Sequence, residues 1–147
     1  MDEGNYSHRS QESVGVLLTN LGTPDAATAE AVRRYFVEFL WDPRIVDMPR
    51  WKWWPLYQVI LRTRPAKSAK LYKKVWTDEG SPLMVHASNQ CEAIRQRIKQ
   101  VYQQPVTVEL GMRYGNPSIS SALNKLRSQN VRRLLILPLY PQYSCST

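Results

Sequence analysis

The sequence predicts an α/β fold built on a doubly wound parallel sheet, and three observations lead there. Short apolar runs recur around residues 14–18, 106–111 and 134–137. Segments of helical period lie between them. The runs are apolar throughout rather than at every second residue, the pattern of parallel strands covered on both faces.

Taken in order, residues 1–12 are polar and read as a mobile tail, leaving 13–147 as one domain. Val14, Val16, Leu17 and Leu18 form a strand closed by the turn Asn20-Leu21-Gly22-Thr23-Pro24. From about Asp25 to Leu40 the residues Val32, Tyr35, Phe36, Phe39 and Leu40 share a helical face, with Asp25 or Thr28 as N-cap. Prolines at 43, 49, 55 and 65 then break the pattern, and residues 41–66 read as a functional loop rather than scaffold. A short helix is expected over 67–76. A longer one follows, with Leu83, Ala87, Cys91, Ile94, Ile98 and Val101 at spacings of four, four, three, four and three. Residues 106–111 make a second strand, 118–129 a helix with Ile119, Ala122, Leu123 and Leu126 inward, and 134–137 a third strand. Three strands are few for such a sheet, and no helix follows the last, so the chain reads as cut short.

Composition narrows the function. Twenty Lys and Arg against twelve Asp and Glu give a formal charge of +8, so the surface attracts anions. The excess is scattered in pairs such as Arg33-Arg34, Lys73-Lys74 and Arg132-Arg133, not gathered in a run, and no nucleic-acid partner is expected. Cys91 and Cys145 are too few for a disulfide framework, which points to a reducing compartment. No stretch reaches the roughly 18 to 20 apolar residues needed to span a bilayer, and the polar N-terminus MDEGNYSHRSQES does not read as a secretory leader, so the expected location is cytoplasmic.

In a doubly wound sheet ligands bind outside the carboxyl ends of the strands, which directs attention to 20–24, 112–117 and 138–147. The first of these turns has one glycine where a dinucleotide fingerprint needs three, and no phosphate loop is present. His8 lies in the tail and His86 near the start of a helix, and neither is placed like a catalytic base. Trp51, Trp53 and Trp54, interleaved with Arg50 and Lys52, suit either a membrane interface or a lid on the domain's own core. The last eleven residues, LPLYPQYSCST, concentrate hydroxyls and aromatic rings after a strand, as a binding loop for a flat, hydrogen-bonding ligand would.

Four motifs in order resemble ferrochelatase: Leu17 to Pro24, Tyr72 with Gly80-Ser81-Pro82-Leu83, Met112-Arg113-Tyr114, and Leu137 to Ser144. The resemblance implies a Rossmann-like chelatase domain and an enzyme, a lyase of haem biosynthesis that inserts ferrous iron into protoporphyrin IX held between two such domains. By motif match, Leu21 faces the macrocycle; Arg64, Tyr72 and Ser81 hold the porphyrin and its propionates; Arg113 and Tyr114 form the pocket floor; Tyr140, Ser144 and Ser146 border the metal site. Residues 44–66 resemble the family's lip, which rests on a membrane surface and tips Trp51, Trp53 and Trp54 toward an interfacial, peripheral role.

The family's metal-inserting histidine and its acidic partner belong to a later motif, so no catalytic residue or metal ligand is expected in this chain, which would supply the porphyrin-binding half and need the missing C-terminal domain to be active. No cofactor is required. Cys145 matches a 2Fe-2S ligand of some members, but one cysteine cannot hold a cluster and a plain thiol is expected. The alternative, of a different class, is a non-catalytic tetrapyrrole-binding module docked to a membrane.

Overall fold

The computed structural model describes residues 13–140. The first strand, β1 (Ser13–Asn20), is followed by three helices, α1 (Ala29–Phe39), α2 (Arg50–Val75) and α3 (Pro82–Val101), before β2 (Val106–Met112), α4 (Ile119–Ser128) and β3 (Val131–Pro138). The tail assigned to 1–12 lies outside the described residues.

The three strands pair in parallel in the order β2-β1-β3, with Val16 opposite Val108 on one side and Leu135 on the other. Because side chains alternate across a strand, β1 serves both faces. Val16 and Leu18 pack with Ala87 and Cys91 of α3 and with Val108, Leu110 and Met112. Leu17 points the other way, onto Ala122 and Leu126 of α4. The sheet is thus parallel with a helix on each face, as its apolar strands predict.

Helix ends follow local chemistry. Thr28, Ser81 and Ser118 each accept a hydrogen bond from the backbone N–H three residues on, capping α1, α3 and α4. Pro82 opens α3 at a position where its missing N–H costs nothing.

Leu123, expected inward on α4, and Val101, expected on the apolar face of α3, are 39% and 59% exposed, since Ala122 with Leu126 and Ala87 with Cys91 take the inward faces. Two larger expectations fail as well. Residues 50–66 are not a loop: with 67–75 they form one 26-residue helix that contains Pro55 and Pro65. Its buried residues Trp53, Tyr57, Leu61, Pro65 and Ala69 fall every four positions. The first three pack on Phe36, Leu40 and Val46, and each buried side chain contributes about 1.5–3 kcal/mol. That offsets the roughly 3 kcal/mol an interior proline costs a helix. The third strand departs as well. It is apolar as expected, yet Leu134 to Leu137 are 40–57% exposed, on both faces of the sheet.

Candidate functional site

The carboxyl ends of the three strands converge, and backbone hydrogen bonds stitch them together. Arg113 and Tyr114 donate their N–H groups to the carbonyls of Asn20 and Leu21, at 2.8 and 2.9 Å, while Leu139 donates to Thr19 at 2.8 Å. Leu21, half-buried, donates its own N–H to the Asn20 side chain. This crossing leaves no room for a side chain at Gly22, whose φ of +105° also favours glycine.

Tyr114 is buried and its ring meets Phe39 and Tyr35 edge-on, at centroid distances of 5.3 and 6.4 Å. Its hydroxyl donates to Asp42 Oδ2 at 3.0 Å. The Arg113 guanidinium lies 5.3 Å from the centre of the Tyr114 ring and donates to the same Asp42 oxygen at 2.5 Å. The other Asp42 oxygen accepts the Arg44 backbone N–H at 2.8 Å. Burial, the largest single influence, would raise the Asp42 pKa, but the Arg44 N–H, the Tyr114 hydroxyl and the Arg113 and Arg44 charges together hold it below the usual 3.8. Burial, then the Asp42 hydrogen bond and charge, push the Tyr114 phenol up, so it stays a proton donor at neutral pH.

Tyr35 lies at the centre of this end of the sheet. Its hydroxyl donates to the Gly22 carbonyl at 3.4 Å, and its pKa is raised by burial and by the neighbouring Tyr72, Tyr114, Glu38 and Tyr140. Tyr140 is half-buried, its phenol raised by burial and opposed by the Arg113 charge. Glu38 closes the rim by accepting the Gly115 N–H at 2.9 Å.

Of the residues singled out from sequence, Leu21, Arg113, Tyr114 and Tyr140 therefore gather at the strand ends, and Tyr72 is linked to them only by its electrostatic influence on Tyr35. Tyr72 is half-buried on the last turns of α2, edge-on to Trp76 at 6.2 Å. Ser81 is buried and its hydroxyl oxygen caps α3 by accepting from Met84 N–H at 3.2 Å. It borders a groove of about 170 Å³ shared with Trp76, Thr23 and Asn116. That is well short of the roughly 300–1,000 Å³ of a small-molecule site, so the groove is at most the edge of one. Arg64 is exposed on α2, about two turns before Tyr72. Ser144, Cys145 and Ser146 lie outside the described residues. His86 is exposed on α3.

The tryptophans divide. Trp51 and Trp54 are 74% and 57% exposed, whereas Trp53 is buried, with its indole N–H donating to the Leu40 carbonyl at 3.0 Å. The interfacial assignment of Trp53 is thereby corrected: it seals the α1–α2 packing, because four-residue spacing puts it in line with Tyr57 and Leu61. Among the described residues no helix is long and apolar enough to cross a membrane. Asp42, Tyr35 and Glu38 escaped the sequence reading. Asp42 offers only an acid before a proline, and Tyr35 reads simply as one of five residues on an apolar helix face.

The ferrochelatase family model matches residues 13–147. The ferrochelatase of Thioalkalivibrio sulfidiphilus is 57% identical over 146 residues, covering 99% of this chain and 40% of that protein. That of Marinobacter nauticus is 56% identical over 97% of this chain and 39% of its own length. Ferrochelatase 1 of Shewanella oneidensis is 54% identical over 90% of this chain and 40% of its own length. The chain thus spans about 40% of the length of these curated relatives. With the family's motifs in sequence order and three of them meeting at one end of a parallel sheet, the chain belongs to the ferrochelatase family.

Proposed function

We propose that this chain supplies the porphyrin-binding half of a ferrochelatase, the enzyme that inserts ferrous iron into protoporphyrin IX in haem biosynthesis. The observation that carries the reading is the convergence of Leu21, Arg113, Tyr114 and Tyr140 at the strand ends of a chain from this family. An apolar ring system suits the Leu21 and tyrosine surface, and arginines suit the propionates, since a planar guanidinium engages a carboxylate through two parallel hydrogen bonds. Arg64 is exposed and forms no ion pair among the described residues, so its full charge is available to a propionate. The Ser81 oxygen caps α3, which leaves its hydroxyl proton to donate.

Metallation releases two pyrrole protons for each ferrous ion bound, and the family assigns their removal to a histidine that neither His8 nor His86 matches. The 147-residue chain is accordingly inactive alone and completed by a second domain. Iron and porphyrin are substrates here, and no resident cofactor is part of the scheme. Cys145 remains a plain thiol.

Peripheral contact with an anionic membrane on the cytoplasmic side fits the α2 region. Residues 48–77 hold eight of the twenty Lys and Arg and no Asp or Glu, so the rest of the chain is neutral. Exposed Trp51, Trp54, Leu56 and Val59 share that helix. Trp rings favour the headgroup region, and each cation near an anionic surface adds about 1 kcal/mol.

The test is titration of the chain with protoporphyrin IX, followed by the Soret band, then addition of ferrous or zinc ion under reducing conditions. A band shift that weakens about tenfold in Arg64→Ala, with no metallation until the downstream half of a relative is supplied, is the expected result. No shift, or turnover by the chain alone, would overturn the reading.

A further inference from the structure

A carboxylate with an 8% exposed side chain costs several kcal/mol in lost hydration unless donors replace the water. Asp42 has three: Arg113 Nη2, Tyr114 Oη and the Arg44 backbone N–H. A fourth neighbour, Arg44 Nη1, stands 3.7 Å from Oδ1. Two of the donors lie 71 and 72 residues away in sequence, so the connection between α1 and α2 is tied to the carboxyl end of β2 through this one side chain. Arg113 stands on a loop and is about a third exposed. Left unpaired, its long side chain would sample many rotamers, and a ligand would have to immobilise it. Held by Asp42 and lying over the Tyr114 ring, it is fixed at the strand ends, with its charge felt by Tyr140.

We infer that Asp42 is a positioning residue for ligand recognition: it orients the Arg113 guanidinium, and with it Tyr114, so that the remaining N–H groups of Arg113 meet a carboxylate of an incoming planar, carboxylate-bearing ligand. The inference rests on the proposed porphyrin reading for the ligand's identity, but not for the restraint itself. Asp42 does not touch the ligand; it acts through Arg113.

Two readouts separate these parts. The first needs no ligand: nitrogen NMR of arginine side chains in the 147-residue chain. Arg113 should give resolved, slowly exchanging Nη signals that collapse in Asp42→Asn, while Asp42→Glu, which keeps the charge, retains at least part of the restraint. Unchanged Arg113 signals in Asp42→Asn would overturn the positioning role.

The second compares protoporphyrin IX with its dimethyl ester, which lacks free carboxylates. Asp42→Asn should weaken binding of the acid by roughly tenfold or more and leave the ester within about twofold, with no additional loss when combined with Arg113→Ala. Equal weakening of acid and ester, or full additivity in the double variant, would make Asp42 a merely structural residue and overturn the proposal. If the unmodified chain binds neither porphyrin, the porphyrin reading fails on its own, and the NMR comparison still decides for or against the restraint.

Discussion

A methyl group at Gly22 would lie 1.8 Å from the Tyr114 carbonyl oxygen, with the backbone already at a φ that side chains rarely adopt. Neither atom belongs to a flexible side chain, so Gly22→Ala must part the loops that follow β1 and β2. The expected cost exceeds about 3 kcal/mol in urea unfolding, with porphyrin binding lost together with stability. Asp42 makes a prediction of a different kind. Its native pKa is depressed, so its contribution is complete above the usual 3.8 and is lost as the pH falls through the lower native value. The stability difference between the unmodified chain and Asp42→Asn should therefore be flat from pH 7 to about 5 and shrink below 4, read from unfolding midpoints across that range. Both residues show what sequence conveys at this scale. The loops that carry Leu21, Arg113, Tyr114 and Tyr140 were legible because a parallel sheet directs ligands to its strand ends; the residues themselves stood out only by their match to ferrochelatase motifs. Asp42 was not legible, because its partners are set by a tertiary contact across 71 residues that no local pattern records.

At the level of elements, α3 and α4 were readable because their apolar residues recur at three and four. The second helix was hidden by chemistry that normally argues against one. Pro55 and Pro65 each remove a hydrogen bond, and exposed Trp51, Trp54, Leu56, Val59, Leu71 and Val75 blur the apolar stripe. Only packing against α1 reveals that Trp53, Tyr57 and Leu61 form the inward face. The tryptophans of one segment should then separate experimentally. Trp53→Ala is expected to cost about 3–5 kcal/mol of stability. Trp51→Ala should stay within about 0.5 kcal/mol of the unmodified chain while lowering retention on vesicles containing phosphatidylserine. Equal effects of the two substitutions on unfolding would contradict the division.

For the molecule as a whole, the sheet is asymmetric: β1 is enclosed, whereas β3 presents Leu135 and Ile136, 57% and 55% exposed, to opposite faces. Exposed apolar strands at a sheet edge promote self-association. Leu135→Lys with Ile136→Glu should reduce light scattering of concentrated solutions and shift the unfolding free energy by no more than about 1 kcal/mol. The parallel class was legible from the apolar strands, but the bareness of the third was not, since sequence registers what a strand is made of and not what covers it. Strand order carries one more consequence, in time. The strand at the centre of the sheet comes first in the chain, and its nearest partner begins roughly 90 residues later, so at about 5–20 residues per second of synthesis β1 waits on the order of 5–20 s without a neighbour. During that interval Val16, Leu17 and Leu18, buried in the finished fold, have no strand to pair with.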